Sequence, residues 1–135
     1  MILLDSSLIV AYSNKADRNH DVSCGIVGRI DGGEFGTPVT TDYVFDESVT
    51  VMLARTGSLP RSRRLGELLL ASTYMIRIGP EAFGLAWERF SNQGRGRLSF
   101  TDCTSIAVCK QGGIPNIGTF DEEFRSVEGL NVVGK

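Results

Sequence analysis

Four acidic residues stand at places in the chain where carboxylates could do chemistry: Asp5, Glu47, Asp102 and Asp121. Asp5 directly follows the apolar run Ile2-Leu3-Leu4. Asp121 closes the run that ends Ile117-Gly118-Thr119-Phe120, and Asp102 opens an apolar stretch. Glu47 belongs inside a long helix, where helical spacing makes Tyr43, Val51 and Ala54 its same-face neighbours. That face is expected to point inward, and a buried carboxylate is costly without a compensating partner. Four such groups brought together would repel one another, whereas a hard divalent cation favours their ionised forms and binds through oxygen. Mg²⁺ or Mn²⁺ suits an all-oxygen set, and such an ion supports phosphodiester hydrolysis. Each acid also has a plainer reading. Asp5 could cap the first helix, Asp102 could complete the S-x-x-D capping box begun by Ser99, and Asp121 could cap the turn before Phe124. Asp42 is read as the N-cap of the Glu47 helix, and Asp46 as a partly solvated neighbour of the site.

The elements that must position these groups alternate. Strands are expected at Ile2–Leu4, Phe35–Val39 (interrupted by Pro38), Tyr74–Ile78, Ile114–Phe120 and Leu130–Val133. Helices are expected at Leu8–Tyr12 behind a Ser6-Ser7 cap, Asp21–Ile30, Asp42–Arg55, Arg61–Ser72, Pro80–Phe90 and Asp102–Lys110, with one helical turn at Asp121–Phe124. Thr56-Gly57-Ser58-Leu59-Pro60 stops the Glu47 helix, and Asn92–Arg97 reads as a Gly- and Arg-rich loop. This alternation predicts a mostly parallel sheet with helices on both faces. Ligands bind such sheets beyond the carboxyl ends of the strands, where Asp5 and Asp121 fall.

At 135 residues the chain is expected to form one domain spanning 1–135. A net charge of −2 supplies no general attraction to nucleic acid, so any such contact needs a local basic patch. Cys24, Cys103 and Cys109 form no CxxC pair and there is one histidine, which argues against a disulfide framework or a zinc site. His20 reads as a surface loop residue. No run is long enough to span a bilayer and none has the form of a signal peptide, so a cytoplasmic location is expected.

Four stretches, taken together, resemble the PIN-domain ribonucleases, in particular the VapC-like toxins of VapBC toxin–antitoxin systems. Ile2-Leu3-Leu4-Asp5-Ser6-Ser7-Leu8-Ile9-Val10-Ala11 is similar to the family's opening strand and first acid, and Thr40-Thr41 with Glu47 to its second motif. Leu98-Ser99-Phe100-Thr101-Asp102-Cys103-Thr104-Ser105-Ile106-Ala107 resembles the third, and Ile117-Gly118-Thr119-Phe120-Asp121-Glu122-Glu123-Phe124 the fourth. The resemblance implies a three-layer α/β/α fold with the first and fourth strands side by side, and Asp5, Glu47, Asp102 and Asp121 as ligands of Mg²⁺ or Mn²⁺. It implies support of the site by Thr119, Ser6 and Thr41, a homodimer, an RNA substrate and a cognate antitoxin. Ser7 stands where many relatives carry Asn, a change expected to loosen the hydrogen bonding around the site.

Arg95 and Arg97, just before Asp102, are candidates for phosphate contact, as is the cluster Arg61, Arg63 and Arg64. Trp87 and Phe90, three apart, read as core or dimer contacts. Two other functions share parts of the pattern: a catalytically silent RNA- or protein-binding module on the same fold, and an RNA-processing nuclease outside a toxin system. A phosphatase is disfavoured by Ser7, where a second aspartate belongs. A phospho-receiver is disfavoured by a third strand that runs into Gly79-Pro80 rather than an acid.

Overall fold

A computed structural model describes residues 1–134. Five strands form one sheet in the order β3-β2-β1-β4-β5. They are β1 (Ile2–Leu4), β2 (Pro38–Thr41), β3 (Tyr74–Ile76), β4 (Asn116–Gly118) and β5 (Asn131–Val133), and every pair is parallel. The helices are α1 (Ser6–Ser13), α2 (His20–Asp31), α3 (Asp42–Thr56), α4 (Leu59–Ser72), α5 (Pro80–Ser91) and α6 (Phe100–Gly112), with a 3-10 turn at Glu122–Ser126.

Alternation along the central strand divides the core in two. Ile2 and Leu4 join Leu8, Ile26, Val44, Met52 and Leu65, so α1 to α4 cover one face. Leu3 joins Ala82, Ala86, Ile106, Ile117 and Phe124, so α5 and α6 cover the other. This is the three-layer α/β/α arrangement that the alternating elements predict. The strand order differs from the 2-1-3-4-5 order of receiver domains.

Several boundaries shift for identifiable reasons. The second strand begins at Pro38 rather than Phe35, because proline has no N–H to give a ladder and is tolerated at a strand's first residue. Thr40 and Thr41 therefore belong to β2. Pro60 does not lie beyond a helix end but within the first turn of α4, whose cap is Ser58, accepting from Arg61 N. Gly57, at φ 64°, closes α3 in the left-handed conformation. The fourth strand is shorter than its apolar run: Ile114 packs in the core outside the ladder, and Thr119 and Phe120 leave it to build the loop that carries Asp121.

The cap of α3 is Thr41, not Asp42. Thr41 Oγ1 accepts from Val44 N at 3.0 Å. Asp42 Oδ1 instead accepts from Tyr43 N at 3.1 Å and from Ile78 N at 3.0 Å, fastening the segment after β3 to the start of α3. The buried stripe of α3 is Val44, Ser48 and Met52, so Glu47 lies half-buried at its margin rather than facing the core.

If Thr41 acts as a cap, Thr41→Ala lowers unfolding free energy by about 1 kcal/mol, and Thr41→Ser retains most of it. Urea denaturation of the three proteins checks this.

Candidate metal centre

The sheet order creates the site. The direction of strand addition reverses between β1 and β4, and ligands bind at such switch points, outside the carboxyl ends. Pairing of Leu4 with Gly118 places the next residues, Asp5 and Thr119, side by side. Both are buried, and Thr119 Oγ1 donates to Asp5 Oδ2 at 2.7 Å. Ser7 Oγ donates to the same oxygen at 2.8 Å and accepts from Phe120 N at 2.9 Å, while Thr119 Oγ1 accepts from Asp121 N at 3.0 Å. Ser7 thus ties the start of α1 to the loop after β4. Serine at this position keeps hydrogen bonds to both Asp5 and Phe120.

The other oxygen, Asp5 Oδ1, is buried and has no hydrogen-bond partner. A buried carboxylate oxygen left without a donor is costly. Beside the Asp5 carboxylate stands further negative charge. One oxygen each from Asp5, Glu47 and Asp102 lie within 4.8 Å of one another. Such a set of hard oxygen donors fits a divalent cation and resolves both the orphaned atom and the repulsion.

Two helices deliver the other carboxylates. Asp102 sits in the first turn of α6, where the capping box is fully made: Ser99 Oγ accepts from Asp102 N at 3.0 Å, and Asp102 Oδ2 accepts from Ser99 N at 2.8 Å. The cap fixes the Asp102 rotamer and occupies one of its two oxygens. Glu47 comes from α3, where Ser6 Oγ donates to its Oε1.

Asp121 stands at the rim. Its Oδ1 accepts from Glu123 N at 2.9 Å and caps the 3-10 turn, and its carboxylate is outside the mutually close trio. Its charge still reaches Glu47 and Asp102, raising the pKa of both. Asp46 is exposed and also pushes Glu47 up. Burial is the larger cause for Glu47, Asp102 and Asp5 alike. It raises Asp5 against the hydrogen bonds of Thr119 and Ser7, and carries Asp102 up to about 7.

Of the three hydroxyls expected to support the acids, Ser6 and Thr119 bond to carboxylate oxygens directly. Thr41 acts at a distance, by capping the helix that carries Glu47. Ser7 is a support that sequence reasoning misses, because the residue type alone shows only a departure from relatives. Arg95 and Arg97 are exposed in the loop before α6 and make no ion pair among the described residues. Arg61 and Arg64 border a separate depression with His20 and Cys24. His20 is half-buried at the start of α2 rather than in a free loop, its Nδ1 bonded to Ala11 O at 2.8 Å. Trp87 is 57% and Phe83 47% exposed, so the outer face of α5 is not core.

Comparison with known proteins agrees with this fold. The PIN-domain family model matches residues 2–130. The chain is 27% identical over 124 residues to the 23S rRNA-specific endonuclease VapC20 of Mycobacterium tuberculosis, covering 92% of each protein. The crystal structure of that VapC20, described as a sarcin–ricin loop cleaving toxin, aligns with a TM-score of 0.82 at 24% identity, over 93% of this chain and 94% of the other. A VapBC2 complex from Rickettsia felis, bound to a fragment of promoter DNA, aligns with a TM-score of 0.71 at 14% identity over 100% and 99%.

The raised carboxyl pKa values set the pH response of the cation-free chain. Between the ordinary aspartate value of 3.8 and about 7, the folded chain holds a proton on Asp102 that the unfolded chain has released. More protons bound in the folded state means that its stability falls as pH rises through that window. Asp5 and Glu47, also raised, act in the same direction. In chelator, the Asp102 contribution is present at about pH 4 and lost by about pH 8. Asp102→Asn flattens that slope and reduces the stabilisation by added Mn²⁺. Thermal melts across this pH range, with and without Mn²⁺, check both.

Proposed function

The chain belongs to the PIN-domain family, and we propose that it is a metal-dependent endoribonuclease, the toxin of a type II toxin–antitoxin pair. One observation carries the reading: a buried, unpartnered carboxylate oxygen of Asp5 within a trio of acids at the switch point of a parallel sheet. The site asks for a hard divalent cation; Mg²⁺ or Mn²⁺ is our assignment.

Asp5, Glu47 and Asp102 would hold the ion, with Asp121 as a further ligand from the rim. Bound there, it supplies Lewis-acid charge that acidifies water and offsets charge on the phosphate oxygens. The residues of the chain do the rest. Thr119 and Ser7 hold Asp5 through Oδ2, which leaves Oδ1 without a donor. Ser6 holds Glu47 through Oε1 and leaves Oε2 free of hydrogen bonds among the described residues. The half-buried Glu47 carboxylate can accept the proton of the attacking water. The protonated alternative at Asp102, whose pKa is near neutrality without a cation, is suppressed when positive charge enters the cluster. Water is the nucleophile in this reading, so no side-chain nucleophile is needed.

The relatives bear on substrate and partner. A 27%-identical protein is named for cleavage of 23S rRNA, so a sarcin–ricin loop RNA is the first substrate to test. VapBC2 and FitAcB, a Neisseria gonorrhoeae assembly that aligns with a TM-score of 0.72, share the fold. By this reading the chain binds a cognate antitoxin, and acts in the cytoplasm. No helix among the described residues is long and apolar enough to cross a membrane. The exposed face of α5, with Trp87 stacked on Phe90 at 6.0 Å, supports a homodimer. Arg95 and Arg97 are assigned to RNA phosphate contact.

Purified protein is expected to cleave RNA with Mg²⁺ or Mn²⁺ and to stop in chelator. Asp5→Asn, Glu47→Gln and Asp102→Asn each lower the rate by about 100-fold or more, comparable to deleting a charge interaction made in the transition state. Ser7→Ala, acting through Asp5, costs about 10- to 100-fold in metal affinity or rate. Cleavage that persists in chelator or in Asp5→Asn would refute the assignment; calorimetric Mn²⁺ titration separates metal loss from catalytic loss.

A further inference from the structure

Beside the carboxylates the surface opens into a polar cleft of about 470 Å³ that shares Ser7 and Asp121 with the metal centre. Its remaining walls include Arg18, Arg55, Asp17 and Phe120. Arg55 follows Glu47 by eight residues on α3, with Val51 between them, so the two lie on the same side of the helix, about 12 Å apart along its axis. Arg18 comes from the segment between α1 and α2, and is without an ion pair among the described residues. Phe120 is half-buried. Its side chain packs against the core while remaining partly exposed, and its amide is fixed by Ser7 Oγ at 2.9 Å.

Asp17 is the acid on this wall not already counted in the centre. Its Oδ1 accepts from Asn19 N at 2.8 Å, and its Oδ2 meets Arg55 Nη1 at 3.5 Å. That pair is long, and the Arg55 side chain is 59% exposed, so it parks the guanidinium over the cleft without binding it tightly. Arg55 can exchange Asp17 for a better anion at small cost.

A polyanion approaching a cluster of acids in a chain of net charge −2 needs local positive charge. Two guanidiniums and an aromatic rim, contiguous with the centre, match a nucleotide: the guanidinium fork suits phosphate oxygens, and a ring face suits a base. Resting on the nuclease reading, we propose that this cleft is the subsite for the nucleotide next to the scissile phosphate. Arg18 and Arg55 bind its phosphate and Phe120 stacks on its base. This role is additional to that of Arg95 and Arg97.

The test is RNA binding without turnover. Asp5→Asn protein in Mg²⁺ is titrated with a fluorescent single-stranded RNA oligonucleotide over a range of salt, by anisotropy. Arg18→Ala and Arg55→Ala are each expected to weaken binding and to reduce the log–log salt slope by about 0.7 for each phosphate that is no longer neutralised. Phe120→Ala weakens binding about 5- to 100-fold with the slope unchanged, as removal of a stacking platform requires. Arg55→Lys keeps the slope and gives up part of the affinity. Melting curves of the arginine variants should match the parent, since neither side chain is part of the core. If the Asp5→Asn parent binds and the Arg18→Ala/Arg55→Ala double variant binds equally with the same slope, the subsite is refuted and the nuclease reading stands. Loss of affinity for the antitoxin alone, with RNA binding intact, refutes it too. A parent that binds no RNA at any salt refutes the subsite, and the nuclease reading falls with it only if the unaltered chain also fails to cleave RNA in Mg²⁺ or Mn²⁺.

Discussion

Burial of one carboxylate is the constraint on which the rest of this structure depends. Asp5 lies at the end of the central strand, 2% exposed, where an ionised group without compensation costs several kcal/mol. The fold meets half of that need itself. Thr119 and Ser7 both give their single hydroxyl hydrogen to Oδ2, so the 3.1 Å approach of the two hydroxyls carries no hydrogen bond of its own. The other half is left open at Oδ1. A protein selected for stability alone would place a donor or an apolar side chain there. Two more acids stand there instead, each of which makes the electrostatics worse until positive charge arrives.

The same division of labour recurs at every acid of the cluster. Asp102 gives Oδ2 to the cap of α6, Glu47 gives Oε1 to Ser6, and Asp121 gives Oδ1 to the cap of the 3-10 turn. One oxygen of each carboxylate is committed to local structure and holds the rotamer; the second remains for something else. Capping and ligation are therefore not competing explanations of Asp5, Asp102 and Asp121. A capped carboxylate is a pre-aimed one, because the bond that ends a strand or starts a helix also removes the side chain's freedom to turn away. Preorganisation of this kind lowers the entropy lost when a cation is held.

The same reasoning separates what local pattern encodes from what it does not. Asp5, Asp102 and Asp121 stand out in the sequence because each sits where an apolar run meets a turn, and such junctions are legible locally. That Asp5 meets Thr119 depends on β1 pairing with β4, a long-range register that no local pattern encodes. Helical periodicity correctly puts Glu47 on α3 but assigns the wrong buried stripe. Val44 and Met52 join the cluster of Ile2, Leu8 and Leu65, so their stripe faces inward, while the neighbouring Phe45 and Val49 meet α4 at Gly66, where an added Cβ would lie 3.3 Å from each. Thr41 and Asp42 are both good cap residues, and only the end of β2 decides between them. Arg18 and Arg55 give no sequence signal. They are far apart in the chain, neither is in a basic run, and only the return of the chain from α1 to α2 sets them on one wall.

The electrostatics also constrain how the chain can be kept silent. With no cation, burial and mutual repulsion favour protonated carboxyls, and the Asp102 carboxyl sits close to neutrality. With a cation, the same groups are ionised and the site is complete. An organic cation can relieve the same strain: a guanidinium from a partner chain, placed among these oxygens, would satisfy the free one of Asp5 and neutralise the cluster without supplying Lewis-acid charge. It would compete with the metal for a single pool of carboxylate oxygens, so metal and guanidinium would weaken each other's binding at this centre by the same factor.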